Sequence, residues 1–132
     1  MPVDQSLVGR AFPPTAPFTV TEDHVRAFVA ATGGVYAGGA APATYPIVVA
    51  FDAMNAFLDA VSVDLFRIVH GEQKFSYARP VVPGDLLSAT LTVAGLRQIG
   101  GNDIIGTRSE IRDVSGDLVC TTTATLVHRG DA

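Results

Sequence analysis

The sequence has no tryptophan, two methionines and a single cysteine, Cys120, among its 132 residues. A lone cysteine excludes an internal disulfide and a zinc site built on paired thiolates. The three histidines, His24, His70 and His128, are scattered with no short spacing. No metal centre is therefore expected, and no motif calls for a cofactor. Charged residues make up 17% of the chain against 48% hydrophobic, and the balance is −4 with no basic run. Nucleic acid is not an expected partner of such a chain. No apolar run approaches the ~20 residues that a membrane-crossing helix needs. The N-terminal residues lack a charged-then-apolar leader pattern, so a cytoplasmic location is the expectation.

What is present fits one domain, residues 1–132, long enough to bury roughly two-thirds of its unfolded surface. So much apolar surface with so little charge exceeds what a small monomer hides easily. That favours an oligomer, an apolar ligand, or both. Cys120 lies in an alternating strand pattern and reads as a buried small hydrophobe rather than a nucleophile.

The stretch Pro46–Ala60 reads as the central element. Pro46 suits a first helical position, and no Gly or Pro interrupts the run that follows. Ile47, Val48, Phe51, Met54 and Leu58 lie to one side and Val49, Ala53 and Phe57 to the other, so the helix is expected to be enclosed nearly all round. Asp52, Asn55 and Asp59 fall on one stripe, facing either water, a subunit contact or something polar that binds.

Before this helix, residues 1–17 are irregular, with Pro13, Pro14 and Pro17 setting extended backbone. Thr21 caps a helix with Glu22 and Asp23 in its first turn and Val25, Phe28 and Val29 on its apolar face. The helix ends at Thr32-Gly33-Gly34, and a small-residue loop carrying Tyr36 follows. From Asp64 the period becomes two. Asp64–Arg79 reads as one strand or two halves, with a bulge at His70-Gly71. Pro83-Gly84-Asp85 turns the chain into a half-buried strand whose Leu87, Ala89, Leu91 and Val93 alternate with polar residues. Gly100–Asp103 makes a hairpin turn. Ile105, Thr107, Ser109 and Ile111 then share one face, opposite Arg108, Glu110 and Arg112. Leu118–Val127 closes the chain. The order predicts an α+β fold in which a four-strand antiparallel meander curls round an apolar helix, the hot-dog architecture. Its exposed edge predicts side-by-side dimerisation.

His70-Gly-Glu-Gln-Lys-Phe-Ser-Tyr-Ala-Arg-Pro80 followed by Pro83-Gly84-Asp85 resembles the signature strand and turn of MaoC-like hydratases/dehydratases, particularly their N-terminal-type domain. Ala41-Pro-Ala-Thr-Tyr-Pro46 resembles the segment leading those domains into their central helix. The likeness spans roughly Val8 to Arg129. It is greatest to the small non-catalytic subunits of heterodimeric (3R)-hydroxyacyl-ACP dehydratases of mycolic-acid-type fatty acid elongation. The resemblance implies an acyl-CoA or acyl-ACP thioester as ligand, and a catalytic hot-dog partner subunit or a homodimer.

The family's catalytic pattern is an aromatic, then a small residue, Gly-Asp, one residue, Asn-Pro, one residue, His. Laid on this chain it starts at Phe28 and reaches Gly33. Gly34 then stands in the place of the Asp, Tyr36 of the Asn, Ala37 of the Pro and Gly39 of the His. Adding or removing water at C2–C3 of a thioester needs a base at C2 and a group that orients or protonates the hydroxyl. Glycine supplies neither, so no catalytic residue is expected within the pattern. The implied role is to grip an acyl chain, with Val48, Phe51, Met54 and Phe57 as candidate lining residues. Simple packing against the sheet is the competing account for each of them.

Two polar residues keep an enzyme reading open. His70 with Glu72 is a conceivable dyad, although a bond to a neighbouring strand or to a partner explains His70 as well. Asp52 is the residue a stand-alone thioesterase would use, a carboxylate on the central helix with loop amides at Gly38 and Gly39 polarising the carbonyl. His24 and His128 are expected to face solvent. Arg79, Arg97, Arg108 and Arg112 are candidates for a CoA or carrier-protein phosphate, or simply solvated arginines. A third possibility is a homodimer that binds a thioester or lipid without turnover.

Overall fold

The structure, a computed structural model, describes residues 4–130. Helices α1 (Glu22–Ala31) and α2 (Ile47–Ala60) accompany strands β1 (Phe18–Thr19), β2 (Ile68–Tyr77), β3 (Leu86–Ile99), β4 (Asn102–Asp113) and β5 (Leu118–His128). The strands form one antiparallel sheet in the order β1-β3-β4-β5-β2, curled round α2 in the hot-dog arrangement.

Local chemistry sets most boundaries as expected. The Thr21 hydroxyl accepts the His24 N–H at 3.1 Å, and Glu22 and Asp23 both pair with Arg26. Pro46 precedes α2 without a side-chain cap. Gly71 breaks the register between His70 and Glu72 against β5. The inward alternation holds along β3, where Leu87, Ala89, Leu91 and Val93 are buried, and along β4, where Ile105, Thr107, Ser109 and Ile111 are buried. Cys120 is fully buried beside them, and burial pushes its thiol pKa up.

Four expectations are corrected. The strands are not a simple meander, because β2 pairs with β5 and not with β3. The reason lies in residues 78–85. Pro80 and Pro83 offer no backbone donors and hold the chain extended, so it crosses the end of the sheet instead of folding back as a hairpin. Strand β2 begins only at Ile68, because Asp64 caps a short 3₁₀ turn over Leu65–Arg67 through the Phe66 N–H.

The helix α2 is not enclosed all round. Val49, Ala50, Ala53, Met54, Phe57 and Leu58 are buried against the sheet, whereas Phe51 is 41% exposed and Ile47 and Val48 are half-buried. The sheet covers one face only, and Ile47, Val48 and Phe51 share the other with Asp52, Asn55 and Asp59.

His128 does not face solvent. It is 6% exposed, and its Nδ1 lies 3.1 Å from Oδ2 of the fully buried Asp103, directly opposite it in the β4–β5 ladder. Gln98 Nε2 donates to the other carboxylate oxygen at 3.0 Å. The group closes the end of the sheet that carries the Gly100–Asp103 hairpin. His24 is exposed, but its Nδ1 meets the Tyr45 hydroxyl at 2.7 Å and so ties α1 to the start of α2. Burial drives the Tyr45 pKa to about 12, which keeps the hydroxyl protonated.

The opposite end of the sheet is tied by Arg79. Its guanidinium donates to both oxygens of Asp85 and to Asp113, joining the end of β2, the turn before β3 and the end of β4. Burial would raise the Asp113 carboxyl. The Asp117 and Ser115 N–H groups and Arg79 outweigh it and hold the pKa below the ordinary 3.8.

These two clusters generate two expectations. Replacing His128 with alanine leaves a buried carboxylate short of one partner and should cost about 3 kcal/mol in chemical denaturation. For Asp113 the folded pKa is depressed, so its stabilisation is full above about pH 3.8 and lost as pH falls through the folded value. The stability difference between wild type and Asp113→Asn, followed by denaturant melts from pH 6 to pH 2, should therefore be constant down to the ordinary value and then shrink. A constant gap throughout would remove the charge argument.

Candidate functional site

Strand β2 is the last strand of the sheet, and its outer edge pairs with nothing among the described residues. That edge runs beside the open face of α2. Together they bound a shallow trough. At one end Ile47, Val48, Phe51 and Asp52 wall a depression of about 460 Å³. In the middle, Ile47 faces His70, Gln73 and Phe75 across about 370 Å³. At the far end Ala41 and Ala43 face Tyr77 and Pro80 across about 390 Å³. Tyr77 donates its hydroxyl hydrogen bond to the Ala43 carbonyl and pins the glycine-rich loop to the end of β2. Burial, with a smaller contribution from Cys120, raises the Tyr77 pKa to about 12, so it stays a donor.

From the middle of this trough a narrow slot runs between α2 and the sheet. Ile47, Phe51, His70 and Gln73 stand at its mouth, and Met54, Leu91, Thr107, Ser109 and Thr122 line its depth. Its free volume is about 10 Å³. That is room for one water and far too little for an alkyl chain.

The candidate lining residues thus separate. Val48 and Phe51 face the trough and Met54 faces the slot. Phe57 is fully buried and packs edge-on against Phe12 with ring centroids 5.1 Å apart.

His70 does not form a dyad with Glu72. Its Nε2 meets Gln73 Oε1 at 2.8 Å, and Gln73 Nε2 donates to the Thr122 hydroxyl at 2.7 Å. Glu72 lies 3.8 Å from Lys74 on the exposed side. Asp52 is exposed on the trough wall. Of the arginines, Arg79 is engaged by Asp85 and Asp113, and Arg112 by Glu110 and the Gly116 carbonyl. No group of three or more potential metal-ligating side chains gathers among the described residues.

The grouping of Gln73, Thr122, Ser109 and Thr107 along the slot was missed from sequence. The signal was present, in two hydroxyl residues interrupting an apolar inward alternation between Ile105 and Ile111.

The loop that carries the degenerate pattern follows α1. A Cβ added at Gly34 would stand 3.0 Å from Val29 Cγ1, so even the first atom of an aspartate is crowded. Gly39 has φ +81°, a left-handed conformation that strains any other side chain there. Tyr36 is half-buried, and its hydroxyl donates to the Gly39 carbonyl at 2.5 Å. A side chain is therefore crowded at the place of the acid and conformationally strained at the place of the imidazole, and neither place carries a titrating group.

A curled antiparallel sheet wrapped round one helix defines a hot-dog protein. Residues 6–122 match the family described as FAS1-like, dehydratase domain region, and the chain belongs to that family. UPF0336 protein SCO4636 of Streptomyces coelicolor is 38% identical, over 98% of this chain and 97% of that one. The crystal structure of the C-terminally truncated HadBC (3R-hydroxyacyl-ACP dehydratase) complex from Mycobacterium tuberculosis contains a similar chain. It is 25% identical with a TM-score of 0.84, covering 96% of this chain and 99% of that one. A MaoC-like dehydratase is likewise 25% identical with a TM-score of 0.79, but this chain spans only 43% of it. Among the described residues no helix is long and apolar enough to cross a membrane.

Proposed function

We propose that this chain is the acyl-thioester-binding, non-catalytic subunit of a heteromeric (3R)-hydroxyacyl-ACP or -CoA dehydratase, acting in fatty acid metabolism. The observation that carries the reading is the state of the loop at Gly34 and Gly39. Both titrating positions are glycine, one is walled by Val29, and the other is left-handed. His70 and Glu72 both line the trough, but among the described residues they make no hydrogen bond to each other: His70 is bonded to the Gln73 amide and Glu72 lies 3.8 Å from Lys74.

The trough supports the binding half of the proposal. Val48 and Phe51 offer an apolar wall on which an alkyl chain gains about 0.8 kcal/mol per buried methylene. A second hot-dog subunit laid along the free edge of β2 would cover Phe51, roof the trough and bring an intact Asp–His pair to it. The HadBC likeness supports a paired arrangement of this kind. The cytoplasm is the compartment proposed.

The test is to purify the chain alone and with a neighbouring-gene partner that carries the intact pattern, and to follow hydration of a 2-enoyl-CoA. The pair should turn over and the lone chain should fall short by several powers of ten. Gly34→Asp combined with Gly39→His should not rescue the lone chain. Phe51→Asp should weaken association of the pair at least tenfold, read by analytical ultracentrifugation. Full activity of the lone chain would overturn the proposal. Loss of a thioesterase activity in Asp52→Asn or His70→Ala would favour the stand-alone enzyme, for which the exposed Asp52 on the trough wall speaks.

A further inference from the structure

The open face of α2 carries charge of one sign. Asp52 and Asp59 are exposed there, two turns apart on one line, with Val48, Phe51 and Asn55 beside them. Neither carboxylate meets a hydrogen-bond donor or a cation among the described residues. The sequence holds no lysine or arginine between Arg26 and Arg67, so α2 and the segments flanking it offer no countercharge. Helix stability does not explain the placement. The first turn of α2, where the dipole favours an acid, has none, and Asp59 stands in the last turn, where the dipole disfavours one. The other charges along the trough are already matched. Glu72 and Lys74 lie 3.8 Å apart, and Arg79 is held by Asp85 and Asp113. His70 is bonded to Gln73. Acids on a wet surface need no explanation. These two are set beside exposed Phe51 and an unpaired strand edge, on a surface suited to being covered.

A second copy of this chain fits that surface badly. Two copies joined by an antiparallel ladder along the free edge of β2 would be related by a two-fold axis perpendicular to the sheet. Both α2 helices would then lie on the same side of it. In such a contact a patch meets itself, so the two Asp52–Asp59 stripes would face each other with no cation between them. Like charges repel more strongly as water leaves the interface. A subunit of the same architecture with lysine or arginine on the matching helix face meets the opposite condition. It covers Phe51 and Val48 and neutralises both carboxylates.

We propose that Asp52 and Asp59 select the partner. They disfavour pairing of the chain with itself and favour a hot-dog subunit whose own central helix presents cationic side chains to the trough. This rests on the heteromeric-subunit reading above and adds the surface that chooses the partner and the charge that the partner carries. It gives Asp52 an electrostatic role in place of a catalytic one.

The test compares two association constants of the full chain, with itself and with the neighbouring-gene partner, by analytical ultracentrifugation. In Asp52→Asn/Asp59→Asn self-association should strengthen and association with the partner should weaken, each by about tenfold, the worth of two partly exposed charge pairs. A variant that merely damaged the helix would weaken both. Raising sodium chloride from about 50 to about 500 mM should move the wild-type constants in the same two directions and the variant's much less. Asp52→Lys/Asp59→Lys, mixed with the wild-type chain, should pair with it more tightly than either pairs with itself. The asparagine variant should melt no lower than wild type, because Asp59 no longer opposes the helix dipole. If the wild-type pair forms but the asparagine variant leaves either constant unchanged, or shifts both in one direction, the proposal is overturned while the heteromeric reading stands. If the wild-type chain binds no such partner, the heteromeric reading itself fails and this proposal falls with it.

Discussion

Backbone groups of residues 9–20 hydrogen-bond along the outer edge of β3. Gly9 donates to Val93, Phe12 to Leu91 and Thr15 to Ala89, and β1 continues the cover at Leu86 and Leu87. The chain thus closes one edge of its sheet with its own N-terminal segment, leaving the free edge on β2. The open face of α2 lies along that same side. A row of unpaired donors and acceptors beside exposed Phe51, Val69 and Tyr77 is a surface that proteins do not leave bare. The trough, its slot and the glycine loop all border it, so the question of what this chain does is largely the question of what lies against β2.

Two clusters hold that side in shape. At one end Arg79 binds Asp85 and Asp113, fixing where β2 stops and where the crossing segment begins. At the other end His128 and Asp103 pair inside the sheet and Arg67 donates to the Arg129 carbonyl, fixing where β2 starts. Between them β2 is free to present one bulge at Gly71, which re-aims His70 toward Gln73. An edge strand held at both ends is a template of defined length and register.

Much of this was legible in the sequence. The two helices, the cap at Thr21, the bulge at Gly71 and the inward residues of β3 and β4 follow from local chemistry and period. What was not legible depends on pairings between distant residues. Strand β2 reads as one more strand of a meander, because nothing local says that residues 78–85 cross the sheet. His128 reads as a chain-end histidine until Asp103 is placed opposite it. The helix α2 reads as wholly buried, since a sequence that is apolar on two faces does not say which face its own sheet will cover. The hydroxyls at 107 and 109 were visible as letters but not as a level in the core, which exists only once β4 and β5 are aligned.

The contact between position 34 and Val29 also bears on which residues the loop accepts. With a glycine at 34, the branched side chain of Val29 packs where a bulkier neighbour would intrude, and the last turn of α1 is built around that arrangement. A side chain at 34 would press on Val29, whose methyl must give by a few tenths of an ångström, and a residue other than glycine at 39 would carry the strain of a left-handed backbone. Both positions thus favour the glycines they hold, one through its neighbour and the other through its backbone.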